Sequence, residues 1–505
     1  MTMTNQSKTN ELHSEDTRVE LIVGLEVHVQ LATITKLFCG CPTTFGSPPN
    51  SQTCPICEGL PGTLPVINQH AIELAIDVGL ALNLAIPSVC RWDRKHYFYP
   101  DLPKGYQTSQ FDLPITEDGY LDFVVPEDAN QTKRVRLLRA HLEEDAGKSQ
   151  HGEGDNLYSQ IDLNRTGTPL LEIVTQPDLR SSADAKAFLT QLRLLLTYIG
   201  VSDCNMQEGS MRVDANINLH IHSGGQTVAT PIVEIKNLNS FRNVERALEY
   251  EQQRQLKHWK QTGTKLGDIP KQTRGWNPDT EVTSIQREKE EAADYRYFPC
   301  PDLPPVAISK SQIDHRKALL PKLPQQWRDH LLNHWKLSEY DANVLVEQGR
   351  AVAEYFDNVA SVSKDGKRSA NWVTQEVLRL LNENQQTIDT FTVPAAKLGQ
   401  LVAQVANHSL DHSRAREVFT YLLENDVEVD QAKAQLGIAA VSDGDLDALV
   451  QQLIDTNAPA IQDFLGGKQQ ALGPLIGQAK KVDPNVNPAR FREKLLAKVE
   501  AMRQD

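Results

Sequence analysis

The hydrophobic pattern of this chain changes period once, and the change falls on a run of prolines. From about residue 18 to residue 298 apolar residues mostly alternate with polar ones in short stretches between turns, which is the period of half-buried strands. Beyond roughly residue 311 they recur every three to four residues to the end, the period of amphipathic helices. Between the two lies Phe-Pro-Cys-Pro-Asp-Leu-Pro-Pro at 298–305, with prolines at Pro299, Pro301, Pro304 and Pro305. Proline fixes φ and removes a backbone donor, so this run should close the mixed part. The expected fold class is α+β: a large mixed domain at 18–305, an all-helical middle domain at 306–400 and a small helical tail domain at 401–505. Residues 1–17 are polar, carry Glu11, Glu15 and Asp16, lack the apolar core of a signal peptide, and read as a disordered leader.

Within the mixed part, strands are expected at 19–31, 211–219 and 232–236, and helices at 69–84 and 182–200. In the helical part the periodic stretches are 344–355, 372–381, 395–405 and 445–455, with breaks near Gly366 and at 391–394. With 52 basic and 66 acidic residues the formal charge is −14. That excludes a protein that coats nucleic acid with a uniformly basic surface, but not a local basic patch, because screening confines charge effects to roughly 8–10 Å. Residues 466–505 hold eight basic against four acidic residues. Against the acidic background, Lys480, Lys481 and Arg492 are candidates for contact with a phosphate backbone. No apolar run approaches the roughly 20 residues that cross a bilayer. A cytoplasmic protein is expected, with no membrane partner.

Four of the seven cysteines fall within nineteen positions, as Cys39-Gly-Cys41 and Cys54-Pro-Ile-Cys57. Two tight knuckles of this kind can enclose a tetrahedral Zn²⁺ in a closed, structural four-sulfur shell. An iron–sulfur cluster and a redox dithiol use the same ligands. Cys90, Cys204 and Cys300 are scattered and read as core thiols.

In the first strand, period two places Leu25, Val27, Val29 and Leu31 on one face and Glu26, His28 and Gln30 on the other. A second acidic group is His-Leu-Glu-Glu-Asp at 141–145, and Glu172 stands alone in an otherwise apolar stretch at 169–174. A carboxylate in a buried strand needs a partner or a metal. Oxygen ligands with one imidazole suit Mg²⁺ and the phosphates it bridges; the alternative is salt bridges to Arg136, Arg139 or Arg165. Ala-Gly-Lys-Ser at 146–149 is not a P-loop, since the first glycine of that pattern is replaced by Leu142. Period two also sets Arg212 and Asp214 on one face of the strand at 211–219, and Glu234 with Lys236 on one face of the next, as the lining of a wet cleft. The stretch at 93–104 mixes cations, aromatics and prolines, as a ligand-holding loop would.

Seven motifs in order, Gly-Leu-Glu-Val-His at 24–28, Asp-Arg-Lys-His-Tyr-Phe-Tyr-Pro-Asp at 93–101, His-Leu-Glu-Glu-Asp-Ala-Gly-Lys at 141–148, and those starting at Asp162, Glu208, Glu234 and Asp294, resemble the B-subunit family of the aspartyl/glutamyl-tRNA amidotransferases. The resemblance implies a cradle-shaped α+β domain, a helical domain and a helical tail that helps hold tRNA. It implies an ATP- and Mg²⁺-dependent ligase forming a carbon–nitrogen bond with glutamine as amide donor. The side-chain carboxylate of Glu on tRNA(Gln), or of Asp on tRNA(Asn), is phosphorylated and then amidated. Its partners would be a glutaminase (A) subunit, a small C subunit and the misacylated tRNA. By motif position the family's Mg²⁺ ligands fall on His28, Glu144 and Glu172 with Glu26 beside them, and Lys95 would handle phosphate or ammonia; ligation by Glu26 or by Glu143 stays open, since a one-residue shift in strand register would exchange their faces. The cysteine set matches members that carry structural zinc.

Overall fold

The computed structural model describes residues 17–125, 128–150, 158–288, 295–439 and 441–502. The expected leader lies almost wholly outside them. The chain divides into two compact units, Met1–Leu323 and Pro324–Asp505, the first sheet-rich and the second helical.

The first unit is organised by strand β1 (Arg18–Gln30). Leu21 to Leu25 are buried in succession, and from there burial alternates, with Leu25, Val27 and Val29 inside. In the order of the chain the other strands needed here are β2 (Asp93–His96), β3 (Tyr106–Ser109), β4 (Thr116–Val125), β5 (Asp128–Glu144), β6 (Pro169–Thr175), β7 (Met211–Ser223), β8 (Val233–Lys236), β9 (Gln272–Asn277), β10 (Val282–Glu288) and β11 (Phe298–Pro299). The main sheet runs β10-β9-β8-β7-β1-β6-β5-β4, with a short strand at Gln226–Ala229 added to β7. All neighbours are antiparallel except β8 and β9. Strands β11, β2 and β3 form a separate small sheet.

One face of the main sheet is covered by helices α1 (Gln69–Ala81), α2 (Ser182–Tyr198) and α3 (Phe241–Thr262). Each starts where a polar side chain accepts from a free backbone N–H: Asn68 from His70, Ser181 from Asp184 and Ser240 from Asn243. Leu189, Leu192 and Leu196 of α2 are fully enclosed, and Phe188 meets Phe123 of β4 edge-on at 6.3 Å. Buried apolar area drives this layer, each such leucine contributing about 2–5 kcal/mol against alanine. The opposite face carries the polar residues of β1, β5, β6, β7 and β8.

The proline run does not end the first unit. Helix α4 (Lys310–Leu319) follows it, opened by a capping box of Ser309 and Gln312, and stays on the sheet side of the division. Arg316 donates through Nε to Asp77 Oδ1 of α1 at 2.9 Å and clasps the other oxygen as well. Apolar contacts from Ile313, Leu320 and Leu323 reach the same core. A salt bridge joining residues 239 positions apart is invisible to local pattern.

In the second unit the stretch expected as one helix over 344–355 is two helices, Glu339–Glu347 and Arg350–Ser363, because Gly349 takes φ 102° between them. The stretch at 372–381 contains a π-helical turn, Val373–Val377. Helices Ala395–Ala406 and Asp443–Thr456 stand where period 3.6 put them. Residues from Leu446 to Val499 close a core of their own around Leu475, Phe491 and Leu495. Among the described residues no helix is long and apolar enough to cross a membrane.

Arg316→Met leaves the Asp77 carboxylate, 5% exposed, without its partner. We expect a loss of about 3 kcal/mol, the cost of breaking one side of a buried pair. Hydrogen exchange should rise across Lys310–Leu319 while α2 keeps its protection.

Candidate metal and substrate face

Strand register decides which polar residues meet. His28 of β1 stands opposite Glu172 of β6 on one side and Arg212 of β7 on the other. Glu172 in turn stands opposite His141 of β5. Glu26 pairs with Asp214, and Asn216 with Glu234 of β8. One face therefore gathers Glu26, His28, Glu143, His141, Glu172, Arg212, Asp214, Glu234 and Lys236 from five strands.

At its centre Glu172 lies between two imidazoles, with Oε2 at 3.5 Å from His28 Nε2 and 3.3 Å from His141 Nε2. Glu143 comes within 3.8 Å of His28 and 3.9 Å of His141, and its second oxygen accepts from Ser109 Oγ at 3.3 Å. Donor atoms of His28, Glu143 and Glu172 all lie within 4.8 Å of one another. Burial alone would lower the pKa of His28, but Glu172, with Glu143 and Asp214 behind it, raises it to about 9. Glu143 is shifted up, first by burial and then by the Glu172 charge. For Glu172 burial acts upward, and the two histidines overcome it and hold the carboxyl well below its usual range. Two enclosed carboxylates and an imidazole, with His141 Nδ1 left without a hydrogen-bond partner, are a donor set that fits one hard divalent cation.

Two further arrangements flank this cluster. Asp145, 3% exposed, is clamped by Arg212 at 2.7 Å, Gln30 at 3.0 Å and Arg165 at 3.5 Å. Against its burial the two guanidinium groups hold it below the ordinary carboxylate range. On the other side Glu26, Asp214 and Glu234 bring carboxylate oxygens within 4.8 Å of one another. Lys236 Nζ sits among them, 2.6 Å from Asp214 and 2.9 Å from Glu234, and Asn216 donates to Glu26 at 2.8 Å.

Glu144 does not join His28 and Glu172. It lies on the reverse side of β5, where it pairs with Lys104 and accepts from the Thr108 amide at 2.8 Å. Adjacent residues of a strand point to opposite faces, so Glu143 and Glu144 cannot both reach the cluster. A bulge between Leu137 and Arg139 sets which of them does. Sequence reasoning left Glu143 open against Glu26 as a ligand and gave no role to His141 or Lys104. Period two counted outward from His141 would have selected Glu143. Of the anticipated salt-bridge partners Arg165 reaches this acidic run, whereas Arg136 binds Asp178 at 2.7 Å and Arg139 donates to Phe111 O at 2.6 Å. Lys95 of β2 lies 5.0 Å from the ring centre of Tyr295, and its charge is felt at Glu143.

The cysteine knuckles close on each other: the Sγ atoms of Cys39, Cys41, Cys54 and Cys57 lie within 4.8 Å of one another, with Cys54 and Cys57 at 3.9 Å. Ligands about 2.3 Å from a tetrahedral Zn²⁺ stand about 3.8 Å apart, so the thiols fit that ion. Lys36, wholly enclosed, directs Nζ at Cys57 Sγ (3.6 Å) and at Gln52 O (2.7 Å). The hydrogen bond from Cys39 lowers the Cys57 thiol to about 5 against its burial. A cavity of about 150 Å³ separates the knuckles from the Lys104–Glu144 pair. Cys90, Cys204 and Cys300 are buried thiols.

The first unit is thus an α+β scaffold with a polar, acidic sheet face and a four-cysteine knuckle behind it. A family model described as the GatB/GatE catalytic domain matches residues 21–314, and one described as a GatB domain matches 354–499. Proteins named as the B subunit of aspartyl/glutamyl-tRNA(Asn/Gln) amidotransferase are similar along nearly the whole length. That of Rhodopirellula baltica is 54% identical over 95% of this chain and 96% of its own. Those of Prosthecochloris aestuarii and Trichlorobacter lovleyi are 43% and 44% identical, over 95% of this chain and 98% and 99% of theirs. The chain belongs to the B-subunit family of these amidotransferases.

His28 carries a proton below about pH 9 and must lose it to ligate a cation, so binding should release protons and weaken as pH falls below that value. Calorimetry of the metal alone at pH 7, in buffers of different ionisation enthalpy, is expected to count about one proton released. Glu143→Gln and Glu172→Gln should weaken binding at least about tenfold, the 1.4 kcal/mol loss of a ligand charge; Glu144→Gln should leave it unchanged.

Proposed function

We propose that this chain is the component that activates the side-chain carboxylate of glutamate esterified to tRNA(Gln), or of aspartate on tRNA(Asn), with ATP, and hands it to ammonia. The observation that carries the reading is the imidazole–carboxylate cluster of His28, Glu143 and Glu172, centred on the polar face in a chain of this family.

The substrate carboxylate oxygen attacks the γ-phosphorus of ATP and ADP leaves. Ammonia then attacks the carbonyl carbon of the acyl phosphate, inorganic phosphate departs with the bonding electrons, and the nitrogen gives up a proton. Mg²⁺ held by His28, Glu143 and Glu172, with Glu26 beside them, would neutralise phosphate charge. The chain's own residues do the rest. Lys95 and Arg212 supply cations at the edge of the cluster, and Asp145 holds the Arg212 guanidinium in place. The carboxylates of Asp214 and Glu234 keep the Lys236 ammonium charged by outweighing its burial. Phosphoryl transfer needs positioning and charge neutralisation above all, so no P-loop is required. The acyl phosphate must be kept from water until ammonia arrives. Ammonia would come from a glutaminase (A) subunit, held to this chain with a small C subunit in a heterotrimer. The tetrathiolate would hold Zn²⁺ as a structural ion.

The tail's basic residues divide by partner. Lys480 ties the tail to Asp411, the cap of helix His412–Glu424, at 2.5 Å. Arg490 and Lys494 pair with Asp443. Lys481 and Arg492 are exposed and are the residues we assign to the tRNA backbone.

The complex co-purified with its A and C partners, given free ammonium chloride, should hydrolyse ATP in the presence of Glu-tRNA(Gln) and yield Gln-tRNA(Gln). Glu172→Gln should lower kcat at least about a hundredfold while tRNA affinity stays within about twofold. Amide formed without ATP consumption would refute the reading. Separately, Lys481→Ala with Arg492→Ala should weaken tRNA binding and reduce its log–log salt slope by about two. Lys480→Ala should lower thermal stability, by freeing the Asp411 cap.

A further inference from the structure

The loop between β2 and β3 leaves two adjacent aromatic rings in solvent. Phe98 is 82% exposed and Tyr99 59%. One edge of the Phe98 ring packs on Gly105, where a Cβ would stand 3.0 Å from it, and the glycine takes φ 72°. Of the preceding residues, Lys95 faces the Tyr295 ring at 5.0 Å and supplies a cation, Arg94 lies over the Tyr106 ring at 4.2 Å and is paired with Asp302, and the His96 ring stacks on Phe298 at 4.9 Å. The loop is also tied to the end of β5 and the turn that follows it, with Lys104 on the reverse side of that strand. Gly147 N donates to Asp101 O at 2.9 Å, Lys104 pairs with Glu144, and Tyr97 feels the charge of Glu143.

We propose that Phe98 and Tyr99 form the stacking platform for the unpaired 3′-terminal nucleotides of the tRNA whose esterified amino acid enters the cluster. The inference rests on the tRNA-borne substrate proposed above. Flat exposed rings flanked by cations are the means by which proteins hold single-stranded nucleic acid, the rings taking bases and the cations the backbone. Three extended residues, about 10 Å, separate Lys95 from Phe98. A base stacked on Phe98 would place its ribose-linked acyl group on the side of Lys95, whose charge is felt at Glu143. A protein partner would meet rings set among Arg94, Lys95, His96 and Asp101 rather than a continuous apolar surface, which favours the nucleic acid.

The test uses the co-purified complex carrying Phe98→Ala, Tyr99→Ala or both, changes at exposed positions. The KM for Glu-tRNA(Gln) is expected to rise about tenfold per ring, the loss of one base stack, with the KM for ATP within about twofold. Phe98→Trp should restore it. Uncharged tRNA trimmed of its 3′ single-stranded nucleotides should bind the wild-type complex more weakly than intact tRNA, and the double variant should not distinguish the two. An unchanged KM for the charged tRNA would overturn the proposal. So would a rise confined to the KM for ATP, which would give the rings to adenine, or loss of the A and C subunits from the purified variant, which would make the loop a protein interface. If the wild-type complex itself makes no amide with ATP, the underlying reading has failed; if it does and the variants match it, only the platform has.

Discussion

Crowding of carboxylates on one sheet face is the constraint around which this molecule is arranged. Two such charges about 4 Å apart repel by about 4 kcal/mol at the effective dielectric of a protein site, and this face holds Glu26, Glu143, Asp145, Glu172, Asp214 and Glu234. The structure resolves the repulsion locally. Asp145 is paired with arginines, Asp214 and Glu234 share Lys236, and Glu172 lies between His28 and His141. Glu143 has the two imidazoles nearest to it, with Lys95 farther off, and burial together with the Glu172 charge drives its pKa up. A site that raises one carboxylate and holds its neighbour ionised is ready for a divalent cation.

The cysteine knuckle belongs to the same arrangement, although it lies behind the sheet. Its connecting loop is stitched to the loop that leads into β6. Asn50 N donates to Asp162 Oδ1 at 3.0 Å, Gln52 N donates to Asn164 Oδ1 at 2.8 Å, and Leu37 N donates to Gly167 O at 2.8 Å. Two residues on, β6 begins, and it carries Glu172. Lys36 joins the two sides by contacting both Cys57 and Leu163 O. A metal bound by the thiols would therefore fix the strand entry that sets the register of Glu172 against His28 and His141.

Much of this was legible in the chain. Period two in β1 gave the inward face of Leu25, Val27 and Val29 and the outward face of Glu26 and His28, because a strand's side-chain alternation is a local property. The knuckle spacing gave the tetrathiolate for the same reason: two ligands on each tight turn are fixed by a few residues of backbone. Helices Ala395–Ala406 and Asp443–Thr456 followed from their apolar stripes. The π-helical turn at Val373–Val377 and the break at Gly349 did not, since both keep an apolar periodicity that a continuous helix would share.

What the sequence alone determined was the set of groups: an imidazole, several strand-borne carboxylates, four thiols, and a change from sheet to helix across a proline run. What only the tertiary structure decided was which of them meet. Glu143 rather than Glu144 faces His28 because a bulge in β5 sets the register against β6. Helix α4 remains with the sheet because Arg316 finds Asp77, and Lys480 is a tie to Asp411 rather than a free cation. Alternation and spacing are written within a few residues of chain. Register and long-range ion pairs depend on neighbours tens to hundreds of residues away: alternation puts His141 and Glu143 on one face, but only pairing with β6 brings that face to His28.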